Sequence, residues 1–202
     1  MSETLFVSFG HRKRVGKDTA AKFLKNYLML NLKNSNIVVK GFADKGKDIC
    51  FDLFNWAGMQ PGWFYEEQES AHLKDEILPS LGKSPRTIWI DFMSKAVREQ
   101  VFDMTWVEYL LNTTECQLCI IKDLRFPVEA EAIKSIGGLV YRIDRADAPN
   151  DSDIADDALI GYEGWTGVID NNGSLAEFNK KIEALGMEIL EKIVSKQNIK
   201  VL

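Results

Sequence analysis

The strongest constraint on how this chain can fold lies at its start. A short apolar run, Thr4 to Phe9, ends at Gly10 and is followed by His11-Arg12-Lys13-Arg14-Val15-Gly16-Lys17-Asp18-Thr19. Beyond it Ala20, Ala21, Phe23, Leu24, Tyr27 and Leu28 recur at helical spacing, so the segment reads strand, loop, helix. A cationic, glycine-bounded loop in that place suits phosphate. Glycine lets the backbone turn successive N–H groups toward an anion, and the helix N-terminus adds partial positive charge. Lys17 can then bridge the β- and γ-oxygens of a nucleoside triphosphate. Arg12, Lys13, Arg14 and Lys17 crowd together in a chain of formal charge -5, and a bound polyanion relieves their repulsion best. The competing reading is a charged turn, which would not require Gly-Lys at the opening of an apolar-periodic helix.

The loop departs from the usual G-x-x-x-x-G-K-[ST] spacing. Five residues separate Gly10 from Gly16, and Asp18 stands where a Mg²⁺-binding hydroxyl is common. Thr19 is the nearest hydroxyl. Gly10, Arg12, Arg14, Val15, Gly16, Lys17, Asp18 and Thr19 are expected to hold ATP. Asp18, Thr19 and the more distant Asp123 are the oxygen ligands expected around Mg²⁺, with phosphates and water completing its shell.

Four more short β-branched or apolar runs follow, Ile37 to Phe42, Leu118 to Ile121, Leu139 to Ile143 and Gly167 to Ile169, each separated by enough chain for a helical crossover. The pattern predicts an α/β fold with five buried parallel strands, in one domain of 202 residues. Residues 44–114 read as a helical insertion, with helices over Cys50 to Trp56, from Ser84-Pro85, and over Trp106 to Leu111; such insertions usually build a substrate site. Ser174 and Glu177 form a capping box that opens a C-terminal helix striped by Leu175, Phe178, Ile182, Leu185, Ile189, Leu190 and Ile193.

Net negative charge without a basic face argues against polymeric nucleic acid as a partner. The absence of a signal-like N-terminus and of any span-length apolar run predicts a cytoplasmic protein with no membrane partner. Cys116 and Cys119 form a C-x-x-C, but with Cys50 distant and no second pair they read as structural thiols rather than a metal or redox centre.

Gly16-Lys17-Asp18-Thr19, Gly82-Lys83-Ser84-Pro85-Arg86, Asp123-Leu124-Arg125-Phe126-Pro127-Val128-Glu129-Ala130 and Val168-Ile169-Asp170-Asn171-Asn172-Gly173-Ser174-Leu175 together resemble the bacteriophage-type deoxynucleoside monophosphate kinases. The resemblance implies a P-loop nucleoside monophosphate kinase fold with sheet order 2-3-1-4-5, Mg-ATP as donor, a deoxynucleoside monophosphate as acceptor and, in many members, a homodimer. Residues 44–114 would bind the monophosphate, and residues 145–165 would form a short lid. The chain departs from the family's pattern at Arg145-Ala146-Asp147 and in the acidic stretch Asp151 to Asp156.

Phosphoryl transfer needs donor and acceptor in line and positive charge around the transferring group. Arg125 and Asp123, at the carboxyl end of the third strand, are expected to face the phosphates. Arg125 would grip phosphoryl oxygens, and Asp123 would hold Mg²⁺, its water or the acceptor. Alternatively the two form a pair that merely fixes the Phe126-Pro127 turn. Arg145, just past the fourth strand, is the catalytic lid candidate. Arg86 and Arg98 are assigned to the acceptor phosphate against the alternative of surface helix arginines, and Asp44 with Lys45 to the acceptor against that of a solvated helix start. The resemblance places Asn171 and Gly173 near the adenine, though Asn-Asn-Gly is also an ordinary turn and helix-cap sequence. Two other readings stay open. One is a P-loop kinase for another phosphorylated small molecule, of the phosphomevalonate or dephospho-coenzyme A type; the other is a non-catalytic nucleotide-binding switch.

Overall fold

A strand that must be covered on both faces reads as a continuous apolar run, and Leu5–Gly10 (β1) is buried at every position. It pairs in parallel with Leu118–Leu124 (β3) on one side and Leu139–Asp144 (β4) on the other. Ile37–Lys40 (β2) lies outside β3 and Gly167–Asp170 (β5) outside β4, so the five-stranded sheet has the expected order β2-β3-β1-β4-β5. The computed structural model describes residues 4–33, 35–148 and 158–197, which leaves the acidic stretch Asp151 to Asp156 outside the described residues.

Lys17–Asn31 (α1) and the C-terminal helix Leu175–Gln197 (α6) share one core with the sheet. Ala20, Ala21, Leu24 and Leu28 of α1 meet Phe178, Ile182, Leu185, Ile189 and Ile193 of α6 over Val7, Phe9, Leu118, Ile120 and Ile143. The predicted capping box of α6 is present: Ser174 N–H and Oγ donate to Glu177 Oε2 at 2.7 and 2.8 Å. Pro127–Ser135 (α5) packs against β1 and β4 through the buried Ala130 and Ile133.

The chain divides into two compact units, residues 1–41 with 113–202, and residues 42–112. The second holds Asp44–Phe54 (α2), three short 3₁₀ turns, Pro85–Trp89 (α3) running into a nine-residue π-helical segment Ile90–Arg98, and most of Thr105–Thr113 (α4). Cys50, Met59, Tyr65, Ile88 and Trp89 form its core, joined by Phe64, Leu73, Phe92 and Met93. Ser84 caps α3 as expected, its Oγ accepting from Thr87 N at 3.3 Å with Pro85 in the first turn.

Two features differ from expectation. The helix expected over Cys50 to Trp56 begins earlier, at Asp44, and Trp56 falls in a 3₁₀ turn. Gly46 sits inside this helix because a Cβ there would overlap Met93 Sδ. The π segment has bonds reaching five residues back, from Glu99 N to Ser94 O and from Phe102 N to Val97 O, both 3.0 Å. Met93 O also accepts from the Trp106 indole at 3.1 Å. No helix among the described residues is long and apolar enough to cross a membrane.

Phe178 is 1% exposed in the α1–α6 core, so Phe178→Ala should destabilise the fold by about 3–5 kcal/mol in urea titration. A loss under about 1 kcal/mol would contradict this packing.

Candidate functional site

The chain must turn from β1 into α1 between Gly10 and Lys17, and it does so through left-handed backbone at His11 (φ 98), Arg14 (φ 60) and Gly16 (φ 107). Alternating handedness of this kind makes a concavity of backbone N–H groups suited to an anion. Gly10 is confined by close approach: a Cβ would lie 2.8 Å from both Leu124 and the Trp165 ring. Val15 is 1% exposed and anchors the loop in the core, so its side chain packs rather than faces a ligand. Lys17 is 7% exposed, and its Nζ donates to His11 O at 2.8 Å and to Arg12 O. Arg12 Nε is buried with no hydrogen-bond partner among the described residues, a donor that an anion would satisfy. Arg14 and Asp18 are exposed, and Thr19 is half-buried on the first turn of α1.

The sheet brings further predicted residues to the same edge. The register between β1 and β3 shifts between Ser8 and Gly10, where three steps along β3 match two along β1. Such a bulge re-aims side chains next to functional sites, and it carries β3 past the expected end at Ile121 to include Asp123. Arg125 follows at once, and its N–H, with that of Phe126, donates to Glu129 Oε2 at 2.8 and 3.1 Å. The buried Glu129 therefore fixes the backbone that presents Arg125. The sequence signal for this role is the place of Glu129 as third residue of a helix opened by Pro127.

A second group was also missed. At the end of β4, Asp144 Oδ2 accepts from Arg142 Nη2 at 2.6 Å, and its Oδ1 lies 3.4 Å from His11 Nδ1. The same histidine nitrogen is 3.4 Å from Ile143 O. Burial pushes the His11 pKa below its ordinary 6.5, and the Asp144 carboxylate opposes this. Arg145 is exposed just beyond. After β5, Asn171 donates through Nδ2 to Val15 O at 2.8 Å, and Asn172 Oδ1 accepts from Ala146 N at 2.6 Å. Asn171 thus lies against the loop between β1 and α1. Gly173 is exposed beside the Glu177 carboxylate.

The remaining candidates belong to the second unit. Asp44 and Lys45 are in the first turn of α2, with Lys45 Nζ 5.7 Å above the Tyr109 ring. Arg86 pairs with Asp75 through Nε at 2.5 Å and Nη2 at 3.3 Å; both partners are about half exposed, and this bond holds the Asp75 carboxyl below its usual range. Arg98, at the end of the π segment, is bound to Asp103 Oδ1 at 2.8 and 3.0 Å. Among the described residues no three His, Cys, Asp or Glu side chains form a metal-holding group.

Because burial keeps His11 neutral, the unfolded chain takes up a proton there first as pH falls. His11 should therefore stabilise the fold least in acid. Asn tolerates positive φ, so His11→Asn keeps the backbone. Between about pH 7.5 and about pH 5.5 the Tm of the wild type should fall more than that of this variant; parallel curves would refute the burial effect.

No protein-family model matches the chain. A curated protein of Acanthamoeba polyphaga mimivirus named "Putative deoxynucleotide monophosphate kinase" is 27% identical over 183 residues, covering 84% of this chain and 90% of its own. Among solved structures, dephospho-CoA kinase from Campylobacter jejuni covers 95% of this chain and 99% of its own at 18% identity, with a TM-score of 0.46. Shikimate kinase from Acinetobacter baumannii in complex with shikimate covers 97% and 96% at 13% identity, with a TM-score of 0.40. The resemblance to deoxynucleoside monophosphate kinases carried by the motifs is thus also found across most of the chain, and the sheet has the strand order expected of the P-loop kinase fold.

Proposed function

We propose that this protein is a kinase that transfers the γ-phosphoryl group of ATP to a deoxynucleoside monophosphate, giving the diphosphate and ADP. The observation that carries this reading is the loop between β1 and α1. Its three left-handed residues, the buried Lys17 and the unpartnered Arg12 Nε converge at the carboxyl end of the central strand. The 27% identical viral relative supports the choice of acceptor class.

In this reading Lys17 and Arg12 neutralise the β- and γ-phosphates, and the loop N–H groups orient them. Arg125, held in place through Glu129, supplies charge to the transferring group, and Arg145 closes over it, which limits loss of the phosphoryl group to water. Asp18, Thr19 and Asp123 offer two carboxylates and a hydroxyl. This oxygen set fits Mg²⁺, which prefers few protein ligands plus phosphates, and the ion would supply charge neutralisation when bound. The second unit takes the acceptor: Arg86 and Arg98 exchange their aspartate partners for its phosphate, and Asp44 and Lys45 contact the rest of the nucleotide. Two copies of the chain form the expected assembly.

The test is ADP release from Mg-ATP with each common deoxynucleoside and ribonucleoside monophosphate, beside a no-acceptor control. Stimulation by deoxynucleotides supports the proposal. Stimulation by none of them, with ATP still bound, rejects it in favour of another phosphorylated acceptor or a nucleotide switch. Lys17→Ala should lower kcat/KM by about 100-fold or more while the protein stays folded. Arg86→Ala should raise the KM for the monophosphate about tenfold with little change in the KM for ATP; an effect confined to ATP would move Arg86 to the donor side.

A further inference from the structure

We infer that Asn171 is a positioning residue for the donor phosphates: it sets the Val15–Gly16 peptide of the phosphate loop and does not read the base. The inference rests on the proposed kinase function and adds to it the device that keeps the loop in register.

Asn171 lies just after β5, and its own N–H donates to Asp144 O at 2.7 Å, which fixes its backbone to the end of β4. From that anchored position Nδ2 donates to Val15 O at 2.8 Å. The amide also lies over the next residue, since a Cβ on Gly16 would be 2.7 Å from Nδ2. Gly16 has φ 107 and ψ 21, a conformation in which glycine carries no steric penalty, so the side-chain amide and the bare Cα fit one another.

No cis peptide occurs among the described residues, and in a planar trans peptide the C=O and N–H point to opposite sides. Binding Val15 O to Asn171 therefore turns the Gly16 N–H away from β5. That N–H is the last one before α1 begins at Lys17, where the helix leaves its own first N–H groups without intrahelical partners. The Val15 side chain is held in the core at 1% exposure, so the peptide is gripped from both ends. His11 performs a similar task at the other end of the loop, through Ile143 O and Asp144. Both ends are thus tied to the carboxyl edge formed by β4 and β5, and Asp144 takes part in each tie.

The decisive variant is Asn171→Ala, which removes the donor without placing a charge beside the loop. Isothermal titration would compare the wild type with this variant for ATP and for inorganic tripolyphosphate, a ligand with no base. Loss of the contact should weaken both about tenfold and by the same factor, while the KM for the monophosphate is unchanged. A base-reading asparagine would weaken ATP and spare tripolyphosphate, and a purely structural one would lower Tm and spare both affinities; either result overturns the inference. Should Asn171→Ala not fold, Asn171→Ser shortens the side chain away from Val15 O without adding charge and is read in the same way. A wild type that binds neither ligand would instead overturn the kinase proposal, and this inference with it.

Discussion

Everything at the site depends on the complete burial of β1. A strand covered by α1 and α6 on one face and α5 on the other cannot slide or fray at its carboxyl end, and Gly10 emerges between Leu124 and Trp165 with no room for a side chain. The chain must then reverse into α1 within a few residues. It does so with non-glycine left-handed backbone at His11 and Arg14, which costs of order 1–3 kcal/mol per residue. Such strain persists only where the surroundings impose it. Here the Lys17 ammonium draws two loop carbonyls together, Val15 is sunk in the core, and β4 and β5 hold the loop through His11 and Asn171.

A parallel sheet delivers the ends of all its strands to one edge, but each end still has to be stopped at the right residue. Glu129 stops β3 by taking the N–H groups of Arg125 and Phe126, the two donors that a helix beginning at Pro127 leaves outside its own ladder. Asn172 holds the chain beyond β4 by accepting from Ala146 N. These contacts are short-range polar bonds at the rim, whereas the apolar core below them sets only where the strands run. Position along the sheet and orientation at its edge thus have separate causes.

That separation explains what the sequence made legible. Strand order and the five runs followed from apolar composition and from the motif resemblance, and the Ser84 and Ser174 caps from local chemistry. Lys17, Asp123 and Arg125 could be placed at the edge because a strand end is a property of one segment. The ties of His11 to Asp144 and of Asn171 to Val15 could not, since each joins residues more than a hundred positions apart. The π segment was hidden for another reason. Its residues read as an ordinary helix, and the indole of Trp106 that also donates to Met93 O lies on a different element.

The second unit raises a question of charge rather than geometry. Several of its cations are met by local carboxylates: Arg86 by Asp75, Arg98 by Asp103, Lys47 by Glu66, and Lys83 with Lys95 by Asp91. Without partners these cations would repel one another. With partners at the surface the opposite holds. Opening an exposed pair such as Arg86–Asp75 costs only about 0.2–1 kcal/mol. On the proposed kinase reading, Asp75 and Asp103 would hold Arg86 and Arg98 in place until the acceptor phosphate replaces them. Arg86 already presents two nitrogens to two oxygens of one carboxylate, the geometry in which an arginine also grips two phosphate oxygens. On that reading the exchange would leave the fork in place and change only the anion.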